Sequence, residues 1–281
     1  MRERLASYSD AAGVDLLAHG TVSDADTIRD TAVAQPLIVA ASLIAWHALG
    51  GDAARAVGIA GHSVGEIAAL VASGVITDDD GMRLVATRGR AMAGAAAEVQ
   101  TGMSAVVGGV EADVLAKIAE HGLEPANYNG GGQIVVAGPL DSLAALAADA
   151  PRGARVIALQ VAGAFHTHFM APARDALRAA ADDIHAVDDP RGRLWTNHDG
   201  SLVSSGHSAL DLLVGQVSSP VRWDLCMASF AEHGVTGIIE LLPAGALTGL
   251  AKRGLRGVPA VAIKTPDDLP AAVSLLRGDA A

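Results

Sequence analysis

Gly58-Ile59-Ala60-Gly61-His62-Ser63-Val64-Gly65-Glu66 is the stretch whose reading decides the fold. The apolar run 56–60 predicts a buried strand, and residues 64–73 predict a helix. Between them lies Gly61-x-Ser63-x-Gly65. A serine on such a strand-to-helix turn has a strained backbone and projects its hydroxyl above the sheet. The two glycines are expected because side chains there would collide with the neighbouring strand and helix. The Val64 N–H, at the helix N-terminus, is placed to donate to a developing oxyanion. The same pattern without chemistry is a glycine turn capped by serine. The side chain of His62 should diverge from that of Ser63, so His62 is not read as its base.

Outward from the turn, strands and helices alternate. A helix is expected over 36–49, with Pro36 in its first turn, where the missing N–H costs nothing. Thr77 and Asp78 cap another helix running to Met92. Strand 103–107, helix 112–120, strand 134–137, helix 142–148 and strand 155–159 form a separate β-α-β-α-β module. Helices near 170–181, 210–217 and 247–252 then alternate with strands near 194, 237–241 and 261–264. This predicts an α/β fold, with a parallel main sheet and a small α+β insert.

The chain has 281 residues, of which 51% are hydrophobic and 3% aromatic. That size supports one large domain with a smaller insert. The cleanest apolar run, Leu37 to Trp46, is shorter than the roughly 20 residues that a membrane span needs, and reads as a core helix. No basic-then-apolar signal segment opens the sequence. The net charge is −11 and no Lys/Arg run appears, which argues against nucleic acid as a partner. The densest basic cluster is Lys252, Arg253 and Arg256. The single cysteine, Cys226, fits a reducing cytoplasm and reads as a packing residue.

A nucleophilic serine needs a base within hydrogen-bond reach. His166, in Val161-Ala162-Gly163-Ala164-Phe165-His166-Thr167-His168, falls where the main sheet should resume after the insert. His166 and His168 lack the Cys or acidic partners of a metal site, so no metal is expected.

Further motifs extend the pattern: Arg88 in Ala86-Thr87-Arg88-Gly89-Arg90-Ala91-Met92, Ala126-Asn127-Tyr128-Asn129-Gly130, Gln216 with Pro220-Val221-Arg222-Trp223, and Leu247-Thr248-Gly249-Leu250. With Gly61–Glu66 and Gly163–Thr167 they occur in the order found in malonyl-CoA:acyl carrier protein transacylases. The sequence resembles that family over nearly its whole length, and the wording at 31–36 and 220–226 resembles its actinobacterial members. The resemblance implies an α/β-hydrolase-like core, residues 1–98 and 163–281, with a ferredoxin-like insert at 99–162. It implies a cytoplasmic monomer without cofactor or membrane partner, whose substrates are malonyl-CoA and the phosphopantetheine thiol of acyl carrier protein. It makes Ser63 the nucleophile and His166 its acid and base, with the main-chain carbonyl of Gln216 orienting the imidazole. Arg88 would bind the malonyl carboxylate through two parallel hydrogen bonds. Phe165 would narrow the acyl pocket and Asn129 would support the site.

One departure bears on activity. Family members open with a strand leading into a Pro-Gly-Gln-Gly-Ser-Gln loop, whose glutamine supplies the second oxyanion N–H. Here the sequence starts at Met1-Arg2-Glu3-Arg4, which matches the helix after that loop. The sequence as given is expected to have one oxyanion donor and reduced activity, since losing a donor costs roughly 10²–10³ in rate. A start placed downstream of the true one is the favoured explanation, and a truncated, impaired copy the alternative. Two other readings stand beside transacylation: a serine esterase or thioesterase of the α/β-hydrolase type, and an inactive carrier-protein-binding module.

Overall fold

The computed structural model describes residues 2–161 and 163–279. Met1, Ala162 (the expected end of the insert) and the last two alanines lie outside the described residues. The chain opens with helices α1 (Arg2–Ala12), α2 (Leu16–Thr21), α3 (Ala25–Arg29) and α4 (Thr31–Ala48). Asp15, Asp24 and Asp30 cap the last three, each accepting a backbone N–H from the first turn. Such caps contribute about 1 kcal/mol apiece.

The cap on α4 corrects one expectation. With Asp30 as N-cap, the helix starts five residues before Pro36, which sits inside it rather than in its first turn. The full helix is 18 residues long and apolar enough to cross a membrane by length and composition. Here it buries Gln35, Pro36, Val39, Ala40, Leu43 and Ala45, and packs against α5 (Gly65–Ala72) and α6 (Asp78–Glu98).

Strand β1 is only Gly58–Ile59, shorter than the expected 56–60, because only these two residues pair with β6; a 3₁₀ helix over 50–55 precedes it. The strand leads directly into the serine turn and α5. Thr77 caps α6 as expected, and α6 continues beyond Met92 to Glu98.

The insert contains one more strand than the sequence reading gives. Its order is β2 (Thr101–Gly108), α7 (Glu111–Glu120), β3 (Glu124–Gly130), β4 (Gln133–Pro139), α8 (Leu140–Ala148) and β5 (Ala154–Ala158). That β-α-β-β-α-β sequence, in antiparallel sheet order β5-β2-β4-β3, is ferredoxin-like. Alternation sends Val106, Ile134 and Val136 to the face under α7 and α8. It sends Met103, Ala105, Val135 and Ala137 to the opposite face, where they meet Ala164 and Phe165. Each buried branched side chain contributes about 1.5–3 kcal/mol. The sheet thereby forms the floor beneath the residues that precede His166.

After a short 3₁₀ turn come α9 (Pro172–Asp182), β6 (Arg193–Leu194), α10 (Gly206–Gln216), β7 (Val221–Arg222) and α11 (Trp223–Glu232). They are followed by β8 (Ile238–Glu240), α12 (Ala246–Gly254), β9 (Ala260–Ala262) and α13 (Leu269–Arg277). Strands β1 and β6 pair in parallel, as do β8 and β9. Strand β7 pairs in parallel with β3, so the segment following Gln216 is fastened to the insert sheet. The largest apolar core gathers α1, α4, α5, α6, α9 and α10 around Leu43, Ile67, Met82, Val85, Leu177 and Leu213.

Candidate active site

The serine turn has the strained geometry expected of it. Ser63 has φ 53°, a left-handed conformation that few non-glycine residues adopt. Asn197 fastens the turn from outside. Its Oδ1 accepts the Ser63 N–H at 2.7 Å and its Nδ2 donates to the Gly61 carbonyl at 2.6 Å. The two glycines have different roles. A Cβ on Gly61 would sit 2.0 Å from the Gly65 carbonyl carbon, so the turn closes only with glycine there. A Cβ on Gly65 would meet nothing within 4 Å, which corrects the expectation that both positions are blocked. Gly65 opens α5, where its side-chain direction is free.

His166 also has a positive φ, 63°, and its main-chain N–H donates to the Val217 carbonyl. The Ser63 hydroxyl and His166 Nε2 are 2.7 Å apart, and His166 Nδ1 is 2.9 Å from the Gln216 carbonyl. That carbonyl can only accept, so Nδ1 carries the proton and Nε2 is free to accept from the serine. Burial, and secondarily the positive charge of Arg88, pulls the imidazole down to about 3, so it is neutral at physiological pH. The Gln216 carbonyl partly opposes this shift.

Arg88 is 1% exposed, a buried guanidinium on α6. Its Nη1 donates to Gln35 Oε1 at 2.6 Å, and its Nη2 to Gln216 Oε1 at 2.9 Å and Ser63 Oγ at 3.3 Å. Among the described residues its Nε finds no partner. A buried donor left open beside a nucleophile suits an incoming carboxylate. Burial lowers the guanidinium to about 10, still charged at neutral pH, and Glu66 opposes that shift.

His62 turns away from the serine, as expected: its Nε2 donates to Asn129 Oδ1 at 2.8 Å, and Asn129 Nδ2 donates to Gln133 Oε1. Asn129 therefore touches the site through His62 rather than through the serine. Phe165 is half-buried between the main core and the insert sheet, next to His166. The Val64 backbone begins the helical stretch after Ser63, with φ −56° and ψ −26°. His168 is exposed and pairs with Glu124, an acidic neighbour that the sequence reading missed. No group of three or more potential metal ligands occurs among the described residues. Cys226 is buried, and burial raises its thiol far above the ordinary range.

Gln35, Glu66 and Asn197 belong to this cluster without having been singled out from sequence. Glu66 lies three residues beyond the nucleophile inside the motif itself, and that position was the available signal.

Comparison with known proteins points to one family. Residues 3–270 match the acyl transferase domain family. The malonyl CoA-acyl carrier protein transacylase of Mycobacterium tuberculosis is 54% identical over 270 residues, spanning 95% of this chain and 89% of that protein. The Escherichia coli K12 protein of the same name is 34% identical over 285 residues, spanning 98% and 91%. The crystal structure of MCAT from Mycobacterium tuberculosis superposes with a TM-score of 0.93 at 53% identity, covering 97% of this chain and 91% of that one. A type II PKS acyl-carrier protein in complex with its malonyl-transacylase gives a TM-score of 0.89 at 30% identity, covering 97% and 90%.

Proposed function

The chain belongs to the malonyl-CoA:acyl carrier protein transacylases of the acyl transferase family, and from that premise we infer how its own residues carry the reaction. Ser63 Oγ attacks the malonyl thioester carbonyl while His166 Nε2 takes the hydroxyl proton. The oxyanion is stabilised by the Val64 N–H at the start of α5. Collapse of the tetrahedral intermediate breaks the C–S bond, and His166 returns its proton to the departing CoA thiolate. The second half-reaction runs the same steps backwards. The carrier's phosphopantetheine thiol gives its proton to His166 and attacks the malonyl-serine ester, and Ser63 leaves with the proton restored. One thioester is exchanged for another, so the chemistry calls for no cofactor.

The observation that carries this reading is that one serine hydroxyl lies within reach of both a neutral imidazole and a buried guanidinium. The imidazole serves acyl transfer in general. The guanidinium serves an acyl group with a carboxylate at its far end, which an ordinary esterase substrate lacks. Phe165 and Asn129 shape and brace the pocket in this account. Residues 1–98 and 163–281 form the catalytic part and 99–162 the insert. The malonyl groups supply fatty acid or polyketide biosynthesis in the cytoplasm. Brief incubation with malonyl-CoA should add one malonyl mass to the peptide holding Ser63, and Ser63→Ala should abolish it. Malonyl label on another residue would overturn the assignment.

A further inference from the structure

The reaction described above gives no task to Glu66, an ionisable side chain of the cluster. Glu66 lies on the first turn of α5, 7% exposed. Each of its carboxylate oxygens takes a donor. Oε1 accepts the Asn197 N–H at 2.5 Å, and Oε2 accepts Gln216 Nε2 at 2.5 Å. Burying a carboxylate is costly even when it is fully hydrogen-bonded, and an apolar side chain would pack the same space at lower cost. A buried carboxyl at this position therefore needs a reason.

Gln216 supplies one. Its amide stands between two charged groups, with its nitrogen on Glu66 and its oxygen on Arg88 Nη2. An amide has a donor end and an acceptor end of nearly the same shape, and only its partners decide which faces where. Burial pushes the Glu66 carboxyl up to about 7, but both of its oxygens already accept, from the Asn197 N–H and from Gln216 Nε2, so it presents acceptors to the amide. It holds the NH₂ end of Gln216 toward itself and so turns the C=O end toward the guanidinium. If the amide turned over, two donors would face each other at Arg88. The Gln216 NH₂ also reaches the Ser63 carbonyl at 3.1 Å, so the same orientation is fixed from the nucleophile's side.

We propose that Glu66 is a positioning residue for acyl selectivity: by fixing the direction of the Gln216 amide, it holds Arg88 where a malonyl carboxylate must bind. The role of Arg88 is taken from the function proposed above. The relay explains why the backbone and side chain of one residue serve two groups. Gln216 O orients His166, while Gln216 Oε1 orients Arg88.

The test is a double-mutant cycle on single-turnover acylation of Ser63, read by intact mass with malonyl-CoA and with acetyl-CoA. Glu66→Gln keeps the shape but places an NH₂ where an acceptor is needed. The malonyl-to-acetyl rate ratio should fall by about 10–100-fold, the range for a buried polar group left unsatisfied. Gln216→Leu keeps the main-chain carbonyl for His166 and should lower the ratio similarly. In the Gln216→Leu background, Glu66→Gln should change the ratio by less than about two-fold, because the relay is already broken. An unchanged ratio in Glu66→Gln, or effects that multiply in the double variant, would overturn the proposal. If Glu66→Gln does not fold, Gln216→Leu alone decides, and an unchanged ratio there overturns it. Absence of malonyl-Ser63 in the wild-type protein would instead strike the function itself.

Discussion

Arg88 Nη2 lies 3.3 Å from Ser63 Oγ, so the group proposed to read the far end of the acyl chain also touches the proposed nucleophile. On that proposal the closeness favours a short diacid, in which one carbon separates the carboxylate from the thioester carbonyl. An acetyl group would leave a buried charge without its partner, and a longer diacid would push its carboxylate past the guanidinium.

Arg88→Ala should therefore slow malonyl transfer by about 10²–10³-fold, the cost of breaking a buried charge pair, while acetyl transfer holds or rises. Wild-type protein should also prefer malonyl-CoA over succinyl-CoA. Initial rates with the three thioesters check both statements. Equal loss of malonyl and acetyl transfer in Arg88→Ala would make the arginine a scaffold residue only.

The buried base sets the pH dependence. Burial and then Arg88 hold His166 at about 3, and the imidazole must be unprotonated to take the serine proton. Activity is lost only when pH falls through that lowered value. The acid limb of kcat/KM, which reports the free enzyme, should thus lie well below the ordinary histidine range near 6.5. A bound malonyl carboxylate offsets the charge on Arg88, so the kcat limb should lie higher than the kcat/KM limb. Arg88→Ala should raise the kcat/KM limb measured with acetyl-CoA. Rapid-quench acylation across the acid range checks this, and a wild-type kcat/KM limb near 6.5 would contradict the buried, neutral base.

Gly61 and Gly65 should respond in opposite ways to the same substitution. An alanine Cβ at Gly61 would meet the backbone of Gly65 and Glu66 at 2.0–2.3 Å, and backbone cannot rotate aside. Gly61→Ala should cost about 3 kcal/mol or more, or prevent folding. Gly65→Ala, with open space around it and a helical conformation, should stay within about 1 kcal/mol of the wild type. Thermal melts of the two variants decide. Similar losses in both would mean that the turn is not closed by Gly61.

How much of this was legible in the sequence depended on whether a signal was local. The elbow was, because glycine spacing and the apolar runs flanking it are short-range features. The Pro36 signal places the start of α4 too late, because the Asp30 side chain caps the helix earlier. Strand β3 is not legible in the sequence because Glu124-Pro125-Ala126-Asn127-Tyr128-Asn129-Gly130 has little strand propensity. It becomes a strand through pairing with β4 and β7, and two register shifts accommodate its irregular residues. Asn197 carried no signal at all. It lies 134 positions from Ser63 in a loop after β6, and only the fold brings the two together.

The basic cluster noted in the sequence gains a location from the fold. Lys252 and Arg253 are exposed in the last turn of α12, and the stem of Arg253 lies against Gly131, in the turn just beyond Asn129. Arg253→Glu should raise the KM for the carrier protein at low salt without changing acylation by malonyl-CoA, and added salt should shrink the difference. If these residues serve only to complement the helix dipole, the melting temperature should fall while the carrier KM stays put.

Asn197 should behave unlike Arg88, because it holds the attacking residue and not the acyl group. Ser63 sits at φ 53°, and a strained backbone of this kind costs about 1–3 kcal/mol, so its surroundings must hold it. Asn197 does so from both sides, accepting the Ser63 N–H and donating to the Gly61 carbonyl. Asn197→Ala removes both bonds at once, with a longer third one from Gln216 Nε2 at 3.4 Å, and leaves the Ser63 N–H and the Gly61 carbonyl unpaired, at about 1–3 kcal/mol each. Relaxation of Ser63 toward ordinary φ values would carry Oγ away from His166 Nε2. Acylation by malonyl-CoA and acetyl-CoA should therefore fall together by at least about ten-fold, with their ratio unchanged, and the melting temperature should drop. Asn197→Asp should rescue only half of the arrangement, since its second oxygen would face the Gly61 carbonyl as a rival acceptor. The comparison uses the same single-turnover assay and a thermal melt for each variant. A wild-type rate and melting temperature in Asn197→Ala would show that the elbow holds its strained conformation without help.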